Sequence, residues 1–253
     1  TYTLGAAAKV ILSALLVLWG LNTFGAIAGL VLAQLMALIY TVARARKNGW
    51  EPKSLTSYIK KPDWPTIKPE LKYSLLVLIV SLSLITQLSI DMVFVKHYFS
   101  ADEAGFYAGI VTAARMIFFA TSSVVAVMLP YVRLDNGPKN RKFLLASIGL
   151  AFLLGGSALL LFSIKPQFVL EFLLGREYTV YANLLPALSL AVFIASLNNL
   201  IYSYFMALRY RIIAYFSVLG TTATTLLLIL NHQTINQIIN SLLYGGLIML
   251  GLI

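Results

Sequence analysis

An all-α bundle of about eight transmembrane helices is predicted by three features of the sequence. Six to eight uncharged apolar stretches are each about long enough to cross a bilayer, the loops between most of them are short, and the basic charge of those loops rises and falls alternately. Of 253 residues, 60% are hydrophobic and 11% charged, with mean hydropathy +0.86. So apolar a chain cannot cover its surface with polar groups, and lipid becomes its solvent. A hydrocarbon core of about 30 Å takes roughly 20 apolar residues as a helix, with every backbone group bonded inside the segment.

The apolar runs place spans at about 6–19, 24–43, 73–95, 105–131, 143–164, 183–208, 212–230 and 237–253. Only Gly20, Leu21, Asn22 and Thr23 separate the first two, so the chain opens as a helical hairpin. Segment 44–72 follows with eight basic residues against Glu51, Asp63 and Glu70, which assigns it to the cytoplasm. Its centre holds Pro52, Pro62, Pro65 and Pro69, with Trp50, Tyr58 and Trp64 among lysines. Such a composition suits either a connector lying in the headgroup region or a solvated linker. We divide the chain into a hairpin (1–48), a cytoplasmic amphipathic connector (49–68) and a six-helix part (69–253). Pro69 and Glu70 read as the first turn of the third span, where a missing N–H is harmless and a carboxylate favours the helix dipole.

The remaining loops continue the alternation. Lys96 stands against Asp102 and Glu103; Arg133, Lys139, Arg141 and Lys142 stand against Asp135; and Lys165 and Arg176 are balanced by Glu171 and Glu177. Arg209 and Arg211 return the sign to basic, and 231–236 carries no formal charge. Both ends of the chain are therefore expected in the cytoplasm. It opens at Thr1 and closes inside an apolar run at Leu252 and Ile253, and we expect it to be a fragment of a longer protein. Nothing at the start resembles a cleaved signal peptide, so the first helix is expected to act as its own insertion signal.

Several function classes drop out. The net charge of +10 sits between apolar runs instead of along one amphipathic face, so it reads as membrane orientation and not as a nucleic-acid surface. There is no Cys, and His97 and His232 lie in separate loops, so neither a metal nor another cofactor is expected. No phosphate-binding glycine loop, nucleophile elbow or zinc-binding His–Glu pattern is present. Asp102 and Glu103 suit a helix N-terminus better than an acid/base couple.

Candidate functional residues are those out of place in lipid. Arg115 lies about twelve residues beyond Glu103, roughly 18 Å deep. There it costs at least about 2.5 to 3.5 kcal/mol unless it faces protein or water. A fixed guanidinium suits a phosphate, and Arg115 is the first candidate for a substrate contact; neutralisation by a carbonyl or carboxylate is the structural alternative. Asp91 sits roughly 7 Å below the outer boundary, so a pair with Arg115 has to bridge about 10 Å of depth. Ser83, Gln87 and Asp91 recur every four residues and share a helix face turned to a bundle interior or a water-filled cavity. Asn198 and Asn199, with Tyr202 one turn on, form a second polar patch that suits either a cavity wall or interhelical glue. Thr221, Thr222, Thr224 and Thr225 can bond their own backbone, and Pro130 and Pro186 fall near span ends as breaks or hinges.

The run from Ile90, Asp91 and Met92 through Lys96, Ser100, Asp102 and Glu103 to Gly105, Phe106 and Tyr107, then Arg115 and Leu129–Pro130, resembles the polysaccharide transporter family. These are flippases for lipid-linked oligosaccharides, including O-antigen flippases of lipopolysaccharide synthesis, within the multidrug and toxic-compound extrusion superfamily. Gly25–Leu30 followed by Arg44 and Arg46 is similar to the end of that family's first lobe. The resemblance implies the last two helices of the first lobe, a connector and a six-helix second lobe. It also implies alternating access in a prokaryotic plasma membrane, with undecaprenyl-pyrophosphate-linked glycan carried outward through a cationic cavity. Partners would be the lipid-linked oligosaccharide, the bilayer and a polysaccharide polymerase, with no nucleic acid. Arg115 and Asp91 match the family pattern, whereas Gln87, Asn198 and Asn199 are added from depth and facing alone. Segment 231–240 departs from it by lacking the Pro-Gly connection.

The expected function is thus a flippase without covalent chemistry. A cation-coupled multidrug exporter using Asp91, or a membrane-embedded glycosyl transferase or ligase, are the alternatives. Translocation requires that water reach Arg115 and Asp91 in a central vestibule; a pair locked together in a dry interior would leave only an anchored scaffold.

Overall fold

The computed structural model describes residues 2–47, 64–133 and 137–253, and among these every regular element is helical. Two compact units form, Thr1–Trp64 and Pro65–Ile253. The first is the expected hairpin. Helix α1 (Tyr2–Leu16) ends in a π turn (Val17–Leu21), and α2 (Asn22–Lys47) returns. Gly20 makes the reversal possible: its φ of 86° lies in the left-handed region that costs glycine little. Ser13 Oγ donates to the Ala26 carbonyl across the pair at 3.2 Å. Both helices expose large apolar side chains, such as Val10 and Ile11 on α1 and Phe24 and Ile39 on α2, as lipid-facing helices do.

The second unit begins with α3 (Trp64–Tyr98), followed by α4 (Ala101–Met128) and a short 3₁₀ turn (Leu129–Tyr131). Helix α5 (Gly137–Ala151) passes through a π turn (Phe152–Gly156) into α6 (Ser157–Ile164), making one long span. After α7 (Pro166–Leu174) and a 3₁₀ segment (Arg176–Leu184) come α8 (Leu185–Ala207), α9 (Ile212–Leu230) and α10 (Ile235–Gly251). Six of the described helical stretches are long and apolar enough to cross a membrane; the first and last expected spans are shorter apolar helices, Lys9–Gly20 and Ile235–Gly251.

Three expectations change. Residues 64–68, assigned to the connector, already belong to α3, because Pro65 provides a pre-set first-turn φ one residue after Trp64. Pro69 consequently sits inside the helix and not at its start. The rest of the connector, 49–63, lies outside the described residues. Segment 165–182, read as a loop, is largely helical: Pro166 starts α7, Gly175 ends it, and Phe168, Val169, Phe172 and Leu173 recur at helical spacing. That pattern was legible in the sequence.

The core runs through α4, α8 and α10. Ile110, Ala114 and Ile117 pack with Leu185 and Leu188, and Ile238 and Leu242 join the same cluster. Helices α9 and α10 meet where Gly245 lies flat against Thr224; a Cβ there would run into the Thr224 side chain. Pro130 falls in the 3₁₀ turn and Pro186 in the first turn of α8, so both mark helix ends.

Candidate functional site

Helices α3 and α4 are antiparallel neighbours joined at Phe99 and Ser100, and the join is fixed by a reciprocal cap. Glu103 N–H donates to Ser100 Oγ, while the Ser100 N–H and hydroxyl donate to Glu103 Oε2 at 3.1 and 2.7 Å. This sets the register in which Asp91 on α3 meets Tyr107 and Arg115 on α4. The Tyr107 hydroxyl donates to Asp91 Oδ2 at 2.9 Å. Arg115 Nη2 donates to Asp91 Oδ1 at 3.3 Å and to the Leu88 carbonyl at 2.7 Å. The pair therefore forms across its difference in depth.

Side-chain direction explains how. Cα–Cβ bonds in a helix tilt toward its N-terminus, and in antiparallel helices the two tilts are opposed. Asp91 leans inward from its helix and Arg115 outward from its own, so each closes part of the gap. Leu88, one turn before Asp91 on the same face, offers the second lone pair of its carbonyl. Tyr107, Val111 and Arg115 recur every four residues, so the tyrosine and arginine share the stripe that faces Asp91. That spacing could have picked out Tyr107, which the depth argument passed over; nothing in the sequence marks the Leu88 carbonyl.

Asp91 is 3% exposed in its side chain and Arg115 21%. Beside them lies Gln87, 5% exposed, whose amide oxygen and nitrogen both lack a hydrogen-bond partner, as does Arg115 Nε. Gln87, Asp91 and Arg115 line one small crevice together with Leu188 and Leu242, with a free volume of about 20 Å³, room for roughly one water. The arginine is thus locked to the carboxylate, as the scaffold alternative required, yet it stays partly exposed and both groups border an opening. Where a central vestibule was expected at this pair, the described residues form a narrow slot.

Ser83, Gln87 and Asp91 all face the interior of the unit, as their spacing implied. Asn198 and Asn199 part company. Asn198 is fully buried and its Nδ2 donates to the Gly246 carbonyl at 2.9 Å; Tyr202 donates to the Met249 carbonyl at 3.0 Å. Both tie α8 to α10. Asn199 instead borders a separate, mainly apolar cavity of about 460 Å³ with Tyr73, Val80, Leu84 and Ser203, and Leu88 lines this cavity and the small crevice alike. Thr224 and Thr225 bond their own helix, but Thr221 donates across to the Ser83 carbonyl at 3.2 Å.

Residues 2–133, which include α1 to α4 and the whole Asp91–Tyr107–Arg115 cluster, match the model of a family described as polysaccharide biosynthesis protein. No curated protein and no solved structure matches the chain.

Proposed function

The chain belongs to the polysaccharide biosynthesis protein family, and from that premise we propose that it carries a lipid-linked, pyrophosphate-bearing oligosaccharide across a prokaryotic plasma membrane by alternating access. No bond is made or broken. The observation that carries this reading is Arg115: a cation deep in a multi-pass bundle, held on one side by Asp91 and Leu88, with Nε unpartnered on a crevice lined also by Gln87.

Asp91 and Leu88 engage Nη2 alone, so the other donors of the fork stay available to an anion. The carboxylate has two effects on such an anion. It lowers the cost of keeping a guanidinium at this depth, and its negative charge tempers the attraction for phosphate. A carrier needs both, because a naked arginine in low dielectric would retain a pyrophosphate instead of releasing it. The unpaired Gln87 amide adds a neutral donor and acceptor for a phosphate or sugar oxygen. The cavity bordered by Asn199 supplies an apolar surface beside it, suited to an isoprenoid chain.

The test uses the full-length protein and the paired variant Arg115→Ala with Asp91→Asn, which leaves no buried charge behind. Surface glycan export is expected to be lost while membrane insertion stays at the parental level; unchanged export rejects the role of Arg115. Drug efflux that depends on Asp91 with normal surface glycan would instead identify a cation-coupled exporter. Against that stands the Asp91 carboxylate, which already has a cation and a hydroxyl as partners. Glycan transfer by purified protein in detergent would overturn the noncovalent mechanism.

A further inference from the structure

Away from this cluster, at the opposite end of α4, two cavities share a wall. The first has a volume of about 320 Å³ and is bordered by Pro130, Tyr131, Arg133, Lys139, Asn140 and Phe143, where α4 gives way to α5. The second, of about 290 Å³, runs along the α4–α5 seam between Val127 and Leu150, and Tyr131 and Phe143 border both. Their rings stack, with centroids 5.2 Å apart.

The first cavity is cationic and held in shape. Asn140, 2% exposed, accepts from the Arg133 N–H at 3.1 Å and donates back to the Arg133 carbonyl, so the backbone carrying Arg133 is pinned to the start of α5. Among the described residues no carboxylate lies within 4.0 Å of Arg133 or Lys139. The second cavity is almost wholly apolar, lined by residues such as Val124, Val127, Met128 and Leu150. Val127 and Leu150 are exposed.

We infer that this pair of cavities is a binding site for an anionic phospholipid of the bilayer, with the phosphate between Arg133 and Lys139 and an acyl chain along the α4–α5 groove. Three features select that occupant. The charge is complementary to a phosphodiester. The polar and apolar compartments are contiguous and ordered as headgroup and chain are in a lipid. The aromatic pair sits between them, at the level where tyrosine prefers a membrane interface. Arg133 and Lys139 flank the junction of α4 and α5, at the end of the bundle that the basic excess of the sequence there assigns to the cytoplasm, the face where anionic lipid concentrates. The site stands independently of the carrier reading, because it uses none of the residues around Arg115.

The experiment measures lipid retention by native mass spectrometry on the full-length protein in detergent micelles doped with equal amounts of phosphatidylglycerol and phosphatidylcholine. The parent is expected to retain phosphatidylglycerol selectively. Arg133→Gln with Lys139→Gln should lower that selectivity about twenty-five-fold, at roughly fivefold for each cation near a membrane surface. Val127→Trp, which fills the groove and leaves every charge in place, should release the same lipid. Arg141→Gln with Lys142→Gln removes the same charge outside the cavity and should change little. Absence of selectivity in the parent overturns the site, and so does equal loss in the Arg141/Lys142 variant. Retention unaffected by Val127→Trp overturns the lipid assignment, leaving a phosphate pocket alone.

Discussion

The cluster at Asp91 and the patch at Asn198 both bury polar side chains between long apolar helices, yet they are built differently. At Asn198 and Tyr202 each donor ends on a backbone carbonyl of α10, and both side chains are essentially inaccessible. Those bonds hold two helices together, and the Asn198 Oδ1 left without a partner is enclosed between them. At Asp91 the partners are ionic, the arginine is partly exposed, and the unsatisfied polar atoms of Gln87 and Arg115 converge on one crevice. Leftover hydrogen-bonding capacity beside an opening distinguishes a place able to receive something from a place that only fastens. In lipid the difference matters more, since an unpaired group there has no water to turn to.

The largest effect expected from this contrast is that of the Arg115→Ala and Asp91→Asn pair: loss of glycan export with normal insertion. An equal loss of export in well-folded Asn198→Ala would erase the distinction. Next comes Gly245→Ala, which puts a methyl against Thr224 and should lower thermal stability in detergent by about 1 to 3 kcal/mol through overpacking. The surviving protein should export normally, because neither Gly245 nor Thr224 lines the crevice at Arg115.

Tyr107→Phe is a finer cut. It takes from Asp91 the hydroxyl at 2.9 Å and leaves a buried carboxylate oxygen short of a donor. Export is expected to fall severalfold with the protein still folded; unaltered export would reduce Tyr107 to a filler. The smallest effect belongs to Asn198→Ala, whose Oδ1 has no partner to lose and whose one interhelical bond is worth about 0.6 kcal/mol by the usual membrane measurements. A thermal shift near zero with full export is expected, and a large shift would show that the amide bond to Gly246 does more than average glue.

Much of the site was legible before any coordinates. Asp91, Gln87 and Ser83 fall on one face because four residues make about one helical turn, and Arg115 stands out because charge in lipid is costly. The Ser100–Glu103 cap was written as Ser-x-x-Glu, although the depth argument used only its charge. Two things were beyond sequence. Asn198 and Asn199 are adjacent and equally polar, but neighbouring residues on a helix point about 100° apart, so only the packing of α8 could send one to Gly246 and the other to a cavity. Whether Asp91 and Arg115 meet turned on the register of α3 against α4, which residue counting left some 10 Å short.

By itself, then, the order of residues determined that the chain is helical, multi-pass and punctuated by basic loops, because burying backbone in lipid leaves few other solutions and every apolar run must satisfy its own hydrogen bonds. Tertiary structure decided which polar groups meet. Contacts such as Arg115 with the Leu88 carbonyl, or Thr221 with Ser83, join residues 27 and 138 positions apart and depend on how helices lean and rotate against one another. No local pattern in either helix encodes that rotation, which follows from packing the whole unit at once.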